Sequence, residues 1–140
     1  MARYPRGLRN CNPGNIRRSG TVYKGEVLNS TDSAFKQFRD MAHGYRAVFV
    51  LLHYYKARYG LNTIRGMINR YAPSVENNTS AYIKAVSDAV GITPDTPVDV
   101  LDANTMVPIV CAISKVENGV QANIDDVLAG WNLYRADFKK

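Results

Sequence analysis

Ala112-Ile113-Ser114-Lys115-Val116-Glu117-Asn118-Gly119 closes an apolar run on a glutamate and a turn. Upstream, Val107, Val110, Cys111 and Ile113 recur at roughly helical spacing, so residues 104–118 read as a buried helix. Asn118-Gly119 is a stop signal, because both residues tolerate the left-handed conformation that ends helices. Glu117 is therefore expected in the last turn. There the negative end of the helix dipole and a partly apolar setting both favour a carboxyl that keeps its proton. The competing reading is a solvated glutamate at a helix end.

Working outward, a helix over 41–59 carries Ala47, Val48, Leu51, Leu52 and Tyr55 on one face, with Asp40 as its cap and Gly60 at its end. Further helices are predicted at 63–71, with Thr63 as cap and Pro73 beyond, and at 80–90, with Thr79 as cap and Gly91 at the end. A last helix is predicted near 123–137. Residues 7–20 are rich in turn formers and read as loop. Thr21-Val22-Tyr23 and 34–38 read as two short strands of a hairpin. The fold class that follows is α+β, mostly helical with one small β-hairpin. At 140 residues this is one domain, 1–140, large enough for a core without metal or disulfide staples.

Composition narrows the function classes. No apolar run reaches the roughly 20 residues of a membrane span. The basic start Met1-Ala2-Arg3-Tyr4-Pro5-Arg6 is followed by no apolar signal segment, so synthesis in the cytoplasm is expected. Cys11 and Cys111 are expected to be structural thiols, and His43 and His53 lack metal-ligand spacing; no metal and no cofactor is expected. The net charge of +6 suits an anionic partner. No zinc-finger spacing, heptad zipper or aromatic RNP-like strand accompanies it, so no specific nucleic-acid partner is expected.

Acid–base chemistry has few candidates, since the chain holds three glutamates: Glu26, Glu76 and Glu117. Glu26, beside Gly25, reads as a solvated turn residue. Glu76 lies between two predicted helices, where two readings stand side by side: a carboxylate ahead of a helix cap, or a functional loop residue. A carboxylic acid protonated near neutrality is what cleavage of a glycosidic bond requires. Asn12-Pro13-Gly14-Asn15 shapes a loop whose amides suit the hydroxyl and N-acetyl groups of a sugar.

Together these pieces resemble the lysozyme-like superfamily, and within it the soluble lytic transglycosylases. Ala112–Gly119 is similar to that family's helix-ending catalytic glutamate motif. Gly14-Asn15-Ile16, with Asn12 before it, resembles a cleft-lining loop. Tyr71-Ala72 resembles the motif with a cleft tyrosine, and Glu76-Asn77-Asn78-Thr79-Ser80-Ala81-Tyr82-Ile83 the family's final Glu-Thr…Tyr motif. The motif order is rotated, as a circular permutation would produce when parent termini lie close together. The chain also resembles phage- or prophage-encoded muralytic proteins, endolysins among them, marked by Arg-Asn-x-Asn-Pro-Gly-Asn-Ile near the N-terminus.

The resemblance implies a lysozyme-like domain that cleaves the β-1,4 bond between N-acetylmuramic acid and N-acetylglucosamine in peptidoglycan glycan strands. It implies Glu117 as general acid and base, with Glu76 as assistant or as the alternative acid. Asn12, Asn15, Tyr71, Asn77, Thr79 and Tyr82 are implied in binding the glycan, while the mid-helix position of Tyr82 favours a core residue. Such an enzyme acts on the cell wall or periplasm, from a virion or as a lysis protein. The alternative is a non-catalytic virion or wall-binding protein on the same fold.

Overall fold

The computed structural model describes residues 4–75 and 77–140. It is mostly helical with one two-stranded antiparallel sheet, the fold class read from the sequence. In chain order come α1 (Arg6–Arg9), β1 (Glu26–Val27), β2 (Gln37–Phe38), α2 (Met41–Tyr59), α3 (Ile64–Tyr71), α4 (Thr79–Val90), α5 (Ala103–Asn118) and α6 (Ile124–Asp137).

The helix boundaries follow local chemistry. Asp40 accepts from the His43 amide and Thr63 from the Gly66 amide, which starts α2 and α3 where the sequence places them. Gly60, Gly91 and Gly119, all left-handed, end α2, α4 and α5. One cap is displaced: Asn78, not Thr79, accepts from Ala81 at the start of α4. The Thr79 hydroxyl instead donates to the Ala72 carbonyl at 2.5 Å.

α2 is the central helix. α6 lies along it, with Phe49 against Trp131 edge-on and Tyr134 stacked. α3, α4 and α5 pack in sequence, and the Tyr45 hydroxyl meets Ser114 Oγ at 2.8 Å to tie α2 to α5 inside the core. Among the described residues no helix is long and apolar enough to cross a membrane.

The hairpin differs from the expectation. Of the predicted strand 34–38 only Gln37–Phe38 is strand, β2 pairs with Glu26–Val27 rather than with Thr21–Tyr23, and Phe35 makes an isolated bridge to Arg17. The reason is a buried lysine. Lys36, 1% exposed, turns its ammonium onto the Glu26 carboxylate at 3.0 Å and the Thr21 carbonyl at 2.8 Å. Side-chain chemistry thus satisfies the backbone near Thr21 in place of a ladder. Glu26 is therefore the buried counter-ion of Lys36, not a solvated turn residue.

A second polar anchor joins α1 to this lobe. The Asp32 carboxylate takes a bidentate pair from Arg6 at 2.6 and 2.7 Å, the Asn10 amide, and the amides of Ala34 and Phe35. The Arg6 hydrogen bonds, first among these, hold Asp32 well below the usual carboxylate range.

Both anchors are testable. Lys36→Met leaves the Glu26 carboxylate buried without its cation and is expected to cost about 3–5 kcal/mol in urea unfolding, much of it recovered in Lys36→Met/Glu26→Leu. A depressed carboxyl stabilises fully above its unfolded value of about 3.9 and loses that contribution as pH falls through the native one. Asp32→Asn is accordingly expected to lower the Tm near neutrality, and the gap to wild type to narrow below about pH 4. A gap independent of pH would contradict this account.

Candidate active site

The 10–16 loop is what brings chemistry to α5. Asn12 is fully buried and closes the loop on itself: its amide donates to the Ile16 and Lys36 carbonyls while its oxygen accepts from the Ile16 amide. The loop then settles on α2 at Gly44, where a Cβ would collide with the Cys11 carbonyl and Pro13. Gly14 is similarly hemmed, by Tyr71 and Val48, and its carbonyl accepts from the Tyr71 hydroxyl at 2.5 Å. These contacts force Asn15 into the left-handed region at φ 49°, which asparagine tolerates better than most residues.

Glu117, half-buried in the last turn of α5, meets that asparagine. Asn15 Nδ2 donates to Glu117 Oε1 at 2.9 Å, and the Tyr82 hydroxyl, reaching from α4, donates to Oε2 at 2.9 Å. Two polar donors thus fix the carboxyl, beside hollows whose walls include Ile16, Pro73 and Val116. Burial pushes the Tyr82 phenol far above its ordinary value, reinforced by the negative charge of an ionised Tyr71 or Glu117. Tyr71 is raised well above its own for the same leading reason. Both remain neutral donors.

Glu117 stands between two hollows. One, of about 340 Å³, is walled by Gly14, Asn15, Ile16, Tyr71, Pro73 and Asn77. The other, of about 350 Å³, lies on the Tyr82 side, walled by Asn77, Asn78, Ala85 and Val116. Glu117 and Asn77 border both, and among the described residues Glu117 is the only carboxylate lining either. The two hollows adjoin as a groove whose described residues present a single oriented carboxyl.

The sequence-derived site residues divide accordingly. Glu117, Asn15, Tyr71 and Asn77 come together at the groove, and Tyr82 joins them through its hydroxyl although the residue is 5% exposed. Asn12 and Thr79 do not face it. Both are buried with their polar atoms spent on protein partners, so they shape the loop and the α3–α4 connection rather than touch a ligand. Glu76 lies outside the described residues. Among those residues no cluster of three His, Cys, Asp or Glu side chains could hold a metal ion, and both cysteines are free.

Sequence reasoning assigned Asn118 only the role of stopping α5. Its buried amide donates to the Pro13 carbonyl at 2.8 Å and to the Ser114 carbonyl at 2.9 Å, clamping the loop to the helix that carries Glu117. An asparagine directly after the candidate acid was the available signal.

No family model matches the chain. It is 36% identical over 135 residues to Protein P5 of Pseudoalteromonas phage PM2, an alignment covering 92% of this chain and 82% of that protein.

Asn118→Ala strands the Pro13 carbonyl and is expected to cost about 1–3 kcal/mol of stability. Amide exchange should quicken in residues 13–16 ahead of the rest of the chain. Uniform quickening across all helices would show that Asn118 acts on the core instead of the loop.

Proposed function

The chain belongs to the family of Protein P5 of Pseudoalteromonas phage PM2, and we propose that it is a phage-type peptidoglycan-cleaving enzyme, a lytic transglycosylase with Glu117 as its acid and base. The domain is read as lysozyme-like in rotated order, with the hairpin lobe ahead of the glutamate helix. The observation that carries the reading is one glutamate, oriented by two donors, that borders both of two adjoining surface hollows. A polymer can run past such a group; a small metabolite does not need it.

The geometry suits one carboxyl in two roles. Asn15 gives an N–H, so Oε1 remains an acceptor, whereas the Tyr82 hydroxyl can donate to a carboxylate or accept from an acid. In this mechanism the transferred proton is carried on Oε2, where Tyr82 can partner the group in both protonation states. Glu117 passes this proton to the glycosidic oxygen as the bond to the muramic C1 breaks. The resulting carboxylate takes the proton of the muramic 6-hydroxyl as that oxygen closes on C1, giving the 1,6-anhydro sugar. Water in place of the 6-hydroxyl gives hydrolysis. Glycosidases that hydrolyse with two carboxylates need the second about 5–9.5 Å away. Among the described residues of the groove Glu117 is the sole carboxylate, and Glu76, outside them, is the residue to test as a second.

Mass spectrometry of fragments released from purified peptidoglycan tests this with wild type, Glu117→Gln and Glu76→Gln. Anhydro-muropeptides are expected from wild type and from Glu76→Gln, with at least about a hundredfold loss for Glu117→Gln. The reverse pattern would make Glu76 the acid, and reducing-end products would make the enzyme a hydrolase. No fragments from folded wild type would leave a wall-binding or virion protein without turnover.

A further inference from the structure

The groove does not end at Tyr71. Leu51, Tyr55 and Arg70 border both the hollow beside Glu117 and a further one of about 150 Å³ on the side away from Tyr82. That further hollow is walled by the end of α2 and carries a different chemistry. Tyr54, Tyr55 and Tyr59 present rings, and two exposed arginines lie over them. The Arg70 guanidinium sits 3.8 Å from the centre of the Tyr59 ring, and Arg58 sits 5.1 Å from that of Tyr54.

A guanidinium stacked on a ring is held by its face, which leaves the N–H edge available for a planar anion. Neither Arg58 nor Arg70 has a carboxylate partner among the described residues, whereas Arg6, Arg46 and Arg65 each do. Tyr23 and Tyr55, pushed up to about 12 by burial, add no negative charge near neutrality. The described residues of the arm therefore carry two positive charges and no negative one.

We propose that this arm, between Arg58 and Arg70, binds the carboxylates of the peptide branches that a glycan strand in the groove carries. The proposal rests on reading the groove as a glycan site and adds what selects the strand. The sugar backbone passes Glu117, and a branch leaving it one or two units away turns over Tyr55 toward the two guanidinium edges. A rigid stacked arginine gives a bidentate pair at small entropic cost, and flexible surface lysines would not.

The test is equilibrium binding to N-acetylglucosaminyl-N-acetylmuramyl-tripeptide, which lacks the bond the proposed reaction cleaves. It is compared with the same molecule after amidation of its carboxylates. Wild type is expected to bind the free-carboxylate form about five- to tenfold tighter, by an amount that shrinks with added salt. In Arg58→Gln/Arg70→Gln the ratio should fall close to one, with Arg58→Gln alone in between. Lys84→Gln, which removes a charge from the outer face of α4, should keep the wild-type ratio. A ratio of one in wild type, a ratio that survives the double variant, or no binding of either form overturns the arm. Release of anhydro-muropeptides together with a ratio of one would sink the arm and leave the cleavage reading standing. The expected ratios without any released fragment would do the opposite.

Discussion

The groove depends on one contact, the hydrogen bond from Asn15 to Glu117 across 102 residues of chain. A glutamate at a helix end has several rotamers and, in water, little reason to choose among them. Here the choice is made by a left-handed residue in a loop held from several sides. Asn12 knots that loop internally, Gly44 seats it on α2, Tyr71 grips its carbonyl, and Asn118 clamps it to α5. Each partner comes from a different element. The carboxyl is therefore positioned by the packing of most of the domain rather than by its own neighbours.

Polar groups are buried in two different ways. In the hairpin lobe, buried charge is neutralised in place, Lys36 by Glu26, while Arg6 covers Asp32 from the surface. The buried pair supplements the apolar contacts of Ile16, Tyr23 and Phe38 in a region whose strands are only two residues long. A buried pair adds little net stability against an apolar alternative, but it strongly penalises misassembly, because either partner alone is stranded. At the groove the opposite holds. Among the described residues Glu117 accepts from two neutral donors, Asn15 and Tyr82, and from no lysine or arginine. Arg58 and Arg70 likewise rest on rings instead of carboxylates. Neutralised charge marks the scaffold, and charge left available marks the surface where a ligand is expected.

The same division explains what was legible beforehand. Helices α2, α3, α5 and α6 were readable because their limits are set by neighbours a few residues away, such as Asp40 with His43, Thr63 with Gly66, and Gly119 after Glu117. The first strand was misplaced because its limits depend on Lys36, which reaches back 15 residues to the Thr21 carbonyl. Asn12 and Thr79 looked like ligand contacts because asparagine and threonine can serve either role. Whether an amide faces a ligand or a carbonyl is decided by tertiary placement. Tyr82 shows the converse: helical periodicity makes it core, which is right for its ring and wrong for its hydroxyl.

Tyr82 also bears on how the carboxyl works. A phenol buried beside a carboxyl has two satisfied arrangements, donor to the anion or acceptor from the acid, related by rotation of one hydrogen. An amide such as Asn15 Nδ2 has only the first. Glu117 is thus held by one partner that insists on an acceptor and one that adapts. In the proposed reaction this asymmetry assigns the transferred proton to one oxygen and leaves the other as a fixed anchor. Tyr82→Phe would keep the packing of the ring and remove the adaptable partner alone. The position and the proton of Glu117 are therefore separable properties, one owed to the loop and the other to α4.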